Sequence, residues 1–346
     1  MALRFMDGFD HCGPREGPND SAALATKYET TNSLFLNPWF TRTGVGAVRF
    51  VNGGSSSGNH AITKVLPASG GAIVGAAFRT TTIQIGAVLF QVREGTTVHI
   101  ELSVGSGGTL IVKRGATTLA TSSSPAIVTA SWQYVELKTV IHDTTGTYEV
   151  RVDGVAVPGL TASGVDTNNA GATGQWDRIL LGGSGGESAV DDVYVCDTSG
   201  STNNDFLGPV KVETLLPQTG NGTNLGLTPS TGTDHGALVD ENPPNITDYN
   251  SSATVGAKDT YHYPSLSLTG AILGIQTNLY VAKSDAATRQ VCAVVRASGT
   301  DYDGANVAPS TTFGYFSEVR AVNPATGVAW TAADLAALEA GMKVTA

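Results

Sequence analysis

Between Val98 and Val104, the apolar residues Val98, Ile100, Leu102 and Val104 alternate with His99, Glu101 and Ser103. A period of two is the signature of a strand with one wet face. Runs of similar length recur at 2–6, 47–51, 61–66, 72–79, 87–93, 109–114, 117–121, 132–141, 147–157, 176–182 and 189–195. Turn signals separate them, among them Glu94-Gly95 and Gly105-Ser106-Gly107-Gly108. Asp153-Gly154 lies between two alternating arms and suits a two-residue hairpin whose central residues need positive φ. The 42 glycines and 14 prolines favour sheets with many tight turns over helices. Further strands are predicted at 210–216, 271–282, 289–297 and 312–322.

A chain of 346 residues suits two domains. Residues 197–208 (DTSGSTNNDFLG) are polar and turn-rich and mark the boundary. The expected fold class is all-β, with two β-sandwich domains at 1–204 and 205–346 and one short C-terminal helix. Residues 217–250 form a long stretch rich in Pro, Gly, Asn and Thr, either an arm reaching a neighbouring subunit or a loop folded back on its own domain. The Gly-rich turn Gly182–Gly186 reads as a flexible hairpin, because no Lys-Ser/Thr or helix follows to cradle a phosphate. For the helix, Thr331 suits the N-cap, Asp334 lies three residues on, and Ala332–Ala340 are strong helix formers with Gly341 just past the end. Leu335 and Leu338 form its apolar stripe, which either plugs the second sandwich or meets a partner.

The net charge is −10, from 20 Lys and Arg against 30 Asp and Glu. Phosphate recognition needs basic patches, so neither nucleic acid nor an anionic membrane is an expected partner. Cys12, Cys196 and Cys292 are far apart and odd in number, which fits neither a disulfide framework nor a zinc site. The opening MALRFMDGFD has no apolar signal-peptide core, and no apolar run approaches membrane-spanning length. Synthesis in the cytoplasm of a host bacterium is therefore expected, with release by lysis or within a particle.

No strand carries the closely spaced acids that a sandwich glucanase needs on one face. The nearest run, Glu149-Val150-Arg151-Val152-Asp153, puts Asp153 in a turn and lacks a third acid. There is no H-E-x-x-H, and the six histidines are scattered. No catalytic residue is assigned on this reading, and a non-enzymatic chain is expected.

Residues 1–195 resemble the laminin-G-like, concanavalin A-like jelly roll. The matching segments are FMDGFD (5–10), WQYVELK (132–138), YEVRVDG (148–154) and AVDDVYVCD (189–197). The resemblance implies that the central pair forms strand, turn and strand of one sheet, and that the closing motif pairs with the first strand. The opening MALRFMDGFDH and residues 210–346 are similar to structural proteins of tailed bacteriophages, in which a jelly roll precedes a smaller module. VKVETLLP (210–217), STGTDHGALVDENPP (230–244), VGAKDTY (255–261), SGTDYDG (298–304) and NPATGVAWTAADLAALEAGMKV (323–344) carry that likeness.

If the first and last strands pair, Asp7, Asp10, Asp191 and Asp192 approach one another. Calcium favours such oxygen clusters, and some laminin-G-like domains bind it at a sheet rim. The alternative is that these aspartates cap turns, and no other cofactor is suggested. In the loop 163–176, Asn168, Asn169, Gln175 and Trp176 combine amides with an aromatic ring, as a sugar site does. The alternative is a polar loop anchored to the core by its Trp.

The resemblance implies a structural protein on the exterior of a virion, associated with the tail, neck or fibre. Other virion proteins, further copies of the same chain in a homo-oligomer and a host surface glycan are the expected partners. Capsid decoration and a carbohydrate-binding module are the alternatives.

Overall fold

A computed structural model of the chain describes residues 2–13, 24–31, 35–36, 41–44, 46–51, 60–169, 173–183, 187–266 and 270–346. Most of the predicted turn 182–186 lies outside them. The described residues are nearly all β, and they fall into two compact units, Met1–Glu213 and Thr214–Ala346.

The first unit is a two-sheet sandwich. One sheet runs β13 (Val155–Val165), β12 (Gly146–Val152), β11 (Trp132–Val140), β6 (Gly71–Thr80), β15 (Glu187–Asp197), β4 (Val48–Val51) and β3 (Phe35–Leu36), and β1 (Leu3–Asp7) also pairs with β15. The other runs β10 (Thr117–Thr121), β9 (Leu110–Arg114), β8 (Thr97–Val104), β7 (Val88–Glu94), β14 (Trp176–Gly183), β5 (His60–Ser69) and β2 (Glu29–Thr31). Among the described residues, every pairing between these strands is antiparallel. The alternating residues Ile100, Leu102 and Val104 of β8 face Val74, Ala76, Val135, Leu137 and Val150 across one core, with Phe78 edge-on to Phe90. Full burial of a side chain of this size is worth about 1.5–3 kcal/mol. The hairpin between β12 and β13 turns at Asp153 (φ 51°) and Gly154 (φ 80°), as the Asp-Gly pair requires.

One irregularity positions several polar groups. Along β15, Asp191 pairs with Ala77 and Tyr194 with Gly75, so three steps on β15 span two on β6. The extra residue is a β-bulge, with Asp192 at φ 50°. On the opposite edge of β15, β4 pairs up to Val190 and β1 takes over from Val193. The bulge sits in the gap between those two neighbours, and it sets two successive carboxylates there.

Residues 205–213, expected in the second domain from the boundary drawn at 204, belong to the first unit. The expected strand at 210–216 forms no ladder. Val212 N–H donates instead to the Asp192 carboxylate, at 2.7 Å.

The second unit is built on a four-stranded sheet, β18 (Lys258–His262), β23 (Glu339–Val344), β20 (Val291–Ala297) and β21 (Thr300–Asp303). A ribbon of β19 (Ile275–Val281) and β22 (Gly314–Arg320) covers it, with Leu279 and Phe316 packed towards Val291 and Ala293. A short pair, β16 (Thr228–Pro229) with β17 (Asn250–Ser251), lies within the 217–250 stretch. That stretch folds back on its own unit. Leu225 bridges to Asp259, Leu227 N–H donates to the Asp259 carboxylate at 2.9 Å, and His235 Nδ1 lies 2.6 Å from it.

The helix α1 spans only Ala332–Ala336, shorter than the predicted run from Ala332 to Ala340. Its N-terminus carries the expected capping box, Thr331 with Asp334. Helix propensity loses beyond it because Glu339 begins β23. There the Glu339 carboxylate accepts from Thr223 and Thr260 at 2.5 Å each. Gly341 is the position where β23 meets β18, and a Cβ there would lie 2.0 Å from the Asp259 carbonyl oxygen.

Candidate functional site

Asp7, Asp10, Asp191 and Asp192 are all buried, and their carboxylates are engaged by protein groups. Asp191 accepts from the N–H groups of Arg42 (2.9 Å) and Thr43 (3.3 Å) and from that of Asp192 (2.8 Å). Burial and the charge of Asp192 push the Asp191 carboxyl up to about 8. Asp192 accepts from Arg42 Nη1 (2.6 Å), Thr43 Oγ1 (2.8 Å) and Val212 N–H (2.7 Å). Asp10 accepts from Gly46 N–H at 3.1 Å. Asp7 meets Lys27, His11, Tyr28 and the Phe9 N–H. Burial alone would raise Asp7, but His11 and Lys27 outweigh it and hold the carboxyl far below the usual range. Among the described residues, no group of three or more His, Cys, Asp or Glu side chains is disposed to hold a metal ion.

The amide loop divides. Trp176 is fully buried and its indole N–H donates to the Gly71 carbonyl at 2.7 Å, so it offers no face to a sugar. It serves as the anchor of the alternative reading, because an indole brings about 150–250 Å² of surface and one N–H that must be satisfied. Asn168 donates to Asp143 (2.8 Å), and Asn169 donates to the Val98 carbonyl (3.1 Å). Gln175 is exposed, and its carbonyl lies 3.0 Å from His99 Nε2. The Asn169 N–H donates to His99 Nδ1 at 3.2 Å, and burial lowers this imidazole's pKa. Asn168, Asn169 and Gln175 thus share one rim, without the ring.

A second polar network has no counterpart in the sequence reading. Tyr134, Glu136 and Tyr194 stand together on the first sheet, with the Tyr134 and Tyr194 rings stacked at 6.4 Å. Residues 205–213 strap this patch. Gly208 N–H donates to Glu136 Oε1 (2.8 Å), Leu207 N–H to the Tyr194 hydroxyl oxygen (3.2 Å), and Arg42 Nη1 to the Val210 carbonyl (2.6 Å). The Phe206 ring receives the Arg151 guanidinium at 4.1 Å. Burial raises Glu136 against the donors Tyr194 and Gly208, and its second carboxyl oxygen has no hydrogen-bond partner. This carboxyl lies under a strap of the chain's own backbone.

The second unit carries a part-exposed constellation. Across the ribbon Tyr280 pairs with Tyr315 and Asn278 with Ser317, all on one face by the period of two. Phe313 joins them just before β22. Its ring lies 5.3 Å from that of Tyr280, which is 4.7 Å from Tyr315, and all three are part-exposed. Asn278 Oδ1 accepts from Gln276 Nε2 (2.9 Å) and Ser317 Oγ (2.8 Å), bonds that do not use its NH₂. Three rings followed by an amide row make an amphipathic strip that presents π-faces beside hydrogen-bond donors and acceptors. A signal for it existed in the sequence: Asn278 and Tyr280 alternate on one strand, and Phe313, Tyr315 and Ser317 alternate on another. Only the pairing of the two strands unites them.

No protein-family model and no curated protein matches the chain. Solved structures of related shape include an alginate lyase of polysaccharide lyase family 7, 12% identical, covering 56% of this chain and 93% of the lyase at a TM-score of 0.34. A Bacillus subtilis protein with a galectin-like fold is 12% identical, covering 57% of this chain and 96% of its own at 0.37. A Trypanosoma rangeli sialidase is 16% identical, covering 44% of this chain and 27% of the sialidase at 0.29. The expectation of a non-enzymatic chain is withdrawn on this finding, since two of these three proteins are enzymes. The missing paired-acid run bears only on hydrolysis by two acids of one strand and leaves sites assembled from several strands untouched. At these identities and TM-scores the likeness assigns no activity to this chain.

Proposed function

We propose that the chain is a component of the exterior of a tailed-phage particle, and that its second unit contacts a host-surface glycan through the β19–β22 ribbon. The observation that carries the glycan part is the stack of Phe313, Tyr280 and Tyr315 beside Asn278 and Ser317 on one part-exposed face. Apolar C–H faces of a sugar ring pack on aromatic π-faces, and its hydroxyls pair with amides and hydroxyls. The particle part rests on the sequence similarity to phage structural proteins, which runs through 210–346 and the opening segment. In this reading the chain assembles as a homo-oligomer with other virion proteins, on the tail first and on the head as the other location.

The glycan part is tested by equilibrium binding of the full chain to purified host-surface polysaccharide. Tyr315→Ala and Tyr280→Ala should each weaken binding by about tenfold, which corresponds to about 1.4 kcal/mol. A circular dichroism melt of each variant controls for folding. Unchanged affinity in both variants, or no affinity in the natural chain, overturns the assignment. Antibody labelling of intact virions tests the location, and label that appears only after disruption overturns the exterior placement.

A further inference from the structure

We propose that Asp7 and Lys27 join covalently, through an amide between the Asp7 carboxyl carbon and Lys27 Nζ, which staples the two sheets of the first unit together. The two side chains are almost fully buried, at 2% and 1% exposure, with Nζ 2.9 Å from Asp7 Oδ2. Their surroundings are apolar and aromatic: Phe5, Phe9, Leu24 and Tyr28 are all core residues, and Lys27 Nζ lies 5.5 Å from the Phe5 ring centroid. Asp7 ends β1 in one sheet, and Lys27 stands two residues before β2 in the other.

The groups needed for the condensation are in place around the carboxyl. Oδ1 accepts from the Phe9 N–H at 2.9 Å, which supplies a donor for negative charge developing on that oxygen, and His11 Nδ1 lies 3.2 Å away. Oδ2 receives the Tyr28 hydroxyl, whose proton burial retains by raising its pKa. For the amide to form, one proton must pass from the ammonium of Lys27 to Oδ2 across the contact, giving a neutral amine and a neutral acid against the charges of His11 and Lys27 that hold the resting carboxyl ionised. Taking a charged pair out of water is costly, so a dry site narrows the gap between that neutral pair and the ion pair. Nζ then attacks Cγ, the C–N bond forms, the Cγ–Oδ2 bond breaks, and Oδ2 departs as water with its two hydrogens, the one already on Oδ2 and one from Nζ, which leaves one hydrogen on the amide nitrogen. Nothing is oxidised or reduced, and no co-reactant enters.

Charge is crowded around the site. One carboxylate faces His11, Lys27 and Lys64; Lys64 Nζ donates to the Lys27 carbonyl at 2.9 Å and lies 4.8 Å from the Phe5 ring centroid. Burial and then the Lys27 charge lower Lys64 to about 8. Amide formation removes the Lys27 charge and the Asp7 charge together.

The inference is independent of glycan contact and is tested by mass spectrometry of the purified full chain. The intact mass should fall short of the sequence mass by one water. Trypsin should fail to cut after Lys27, and fragmentation should yield a branched peptide containing both Asp7 and Lys27. Lys27→Met should restore the full sequence mass, and Lys64→Met, which leaves both reacting groups in place, should retain the loss. A natural chain at full sequence mass with normal cleavage after Lys27 overturns the proposal, whether or not the variants fold. A water loss that persists in soluble Lys27→Met overturns it as well.

Discussion

Replacing Asp192 with Ala tests the idea that the bulge carboxylate sews residues 205–213 to the first unit. Three donors converge on it: Arg42 Nη1, Thr43 Oγ1 and Val212 N–H, at 2.6, 2.8 and 2.7 Å. Hydrogen bonds to a charged group are each worth about 1.5–3 kcal/mol when buried. Two circumstances reduce that sum. The Arg42 side chain is 23% exposed and keeps its bond to the Val210 carbonyl, so water and protein re-satisfy part of what it loses. Removing Asp192 also relieves the negative charge that raises Asp191. A net loss of about 3 kcal/mol remains, which for a unit of this size lowers its melting temperature by about 10 °C. Calorimetry of the full chain reads the first unit's transition, and amide hydrogen exchange at Val212 and Gly208 reads the strap directly. A stability loss under about 1 kcal/mol, with Val212 still protected, would refute the argument. It would mean that the strap is held by Phe206 packing and by Glu136 rather than by the bulge.

Two further outcomes follow from the same geometry. Asp191 in the folded state binds its proton up to about pH 8, above the ordinary carboxylate value, so its contribution to stability is complete below about pH 4 and drains away as pH rises towards 8. Asp191→Asn removes that titration; urea melts should show the variant gaining on the natural chain between pH 5 and 8, by up to about 1.4 kcal/mol per pH unit, and parallel pH profiles would contradict the raised value. Gly341→Ala places a Cβ 2.0 Å from the Asp259 carbonyl oxygen, a backbone atom in a paired strand. The second unit's transition should weaken by about 2 kcal/mol or more while the first unit's stays in place, and a variant as stable as the natural chain would disprove the close approach of β18 and β23.

Local rules carried much of the fold. Strict alternation at 98–104 announces β8, because a strand has only two faces and one of them is dry. Asp153-Gly154 announces its hairpin, because few residue pairs tolerate positive φ twice in succession. Thr331 and Asp334 announce a helix start from backbone chemistry alone. Where that helix stops was not legible, since Leu338 to Ala340 form helices as readily as strands and it is the flanking strands β18 and β20 that draw Glu339–Val344 into a sheet.

The candidate sites divide in the same way. Asn168, Asn169 and Gln175 reach one rim as their shared loop suggests, while Trp176 turns inward because the next residues alternate into β14. The four aspartates are drawn to the first and last strands of the sandwich, but their partners lie far off in sequence: Lys27, Arg42, Thr43 and Val212. The ribbon stack joins Tyr280 to residues 33 and 35 positions later. By itself the sequence determined the β architecture, its tight turns and the helix start, because these depend on neighbours within a few residues. The bulge, the strap, the buried Asp7–Lys27 pair and the aromatic ribbon were decided by the tertiary structure, because each brings together groups that only strand order and register place within bonding distance.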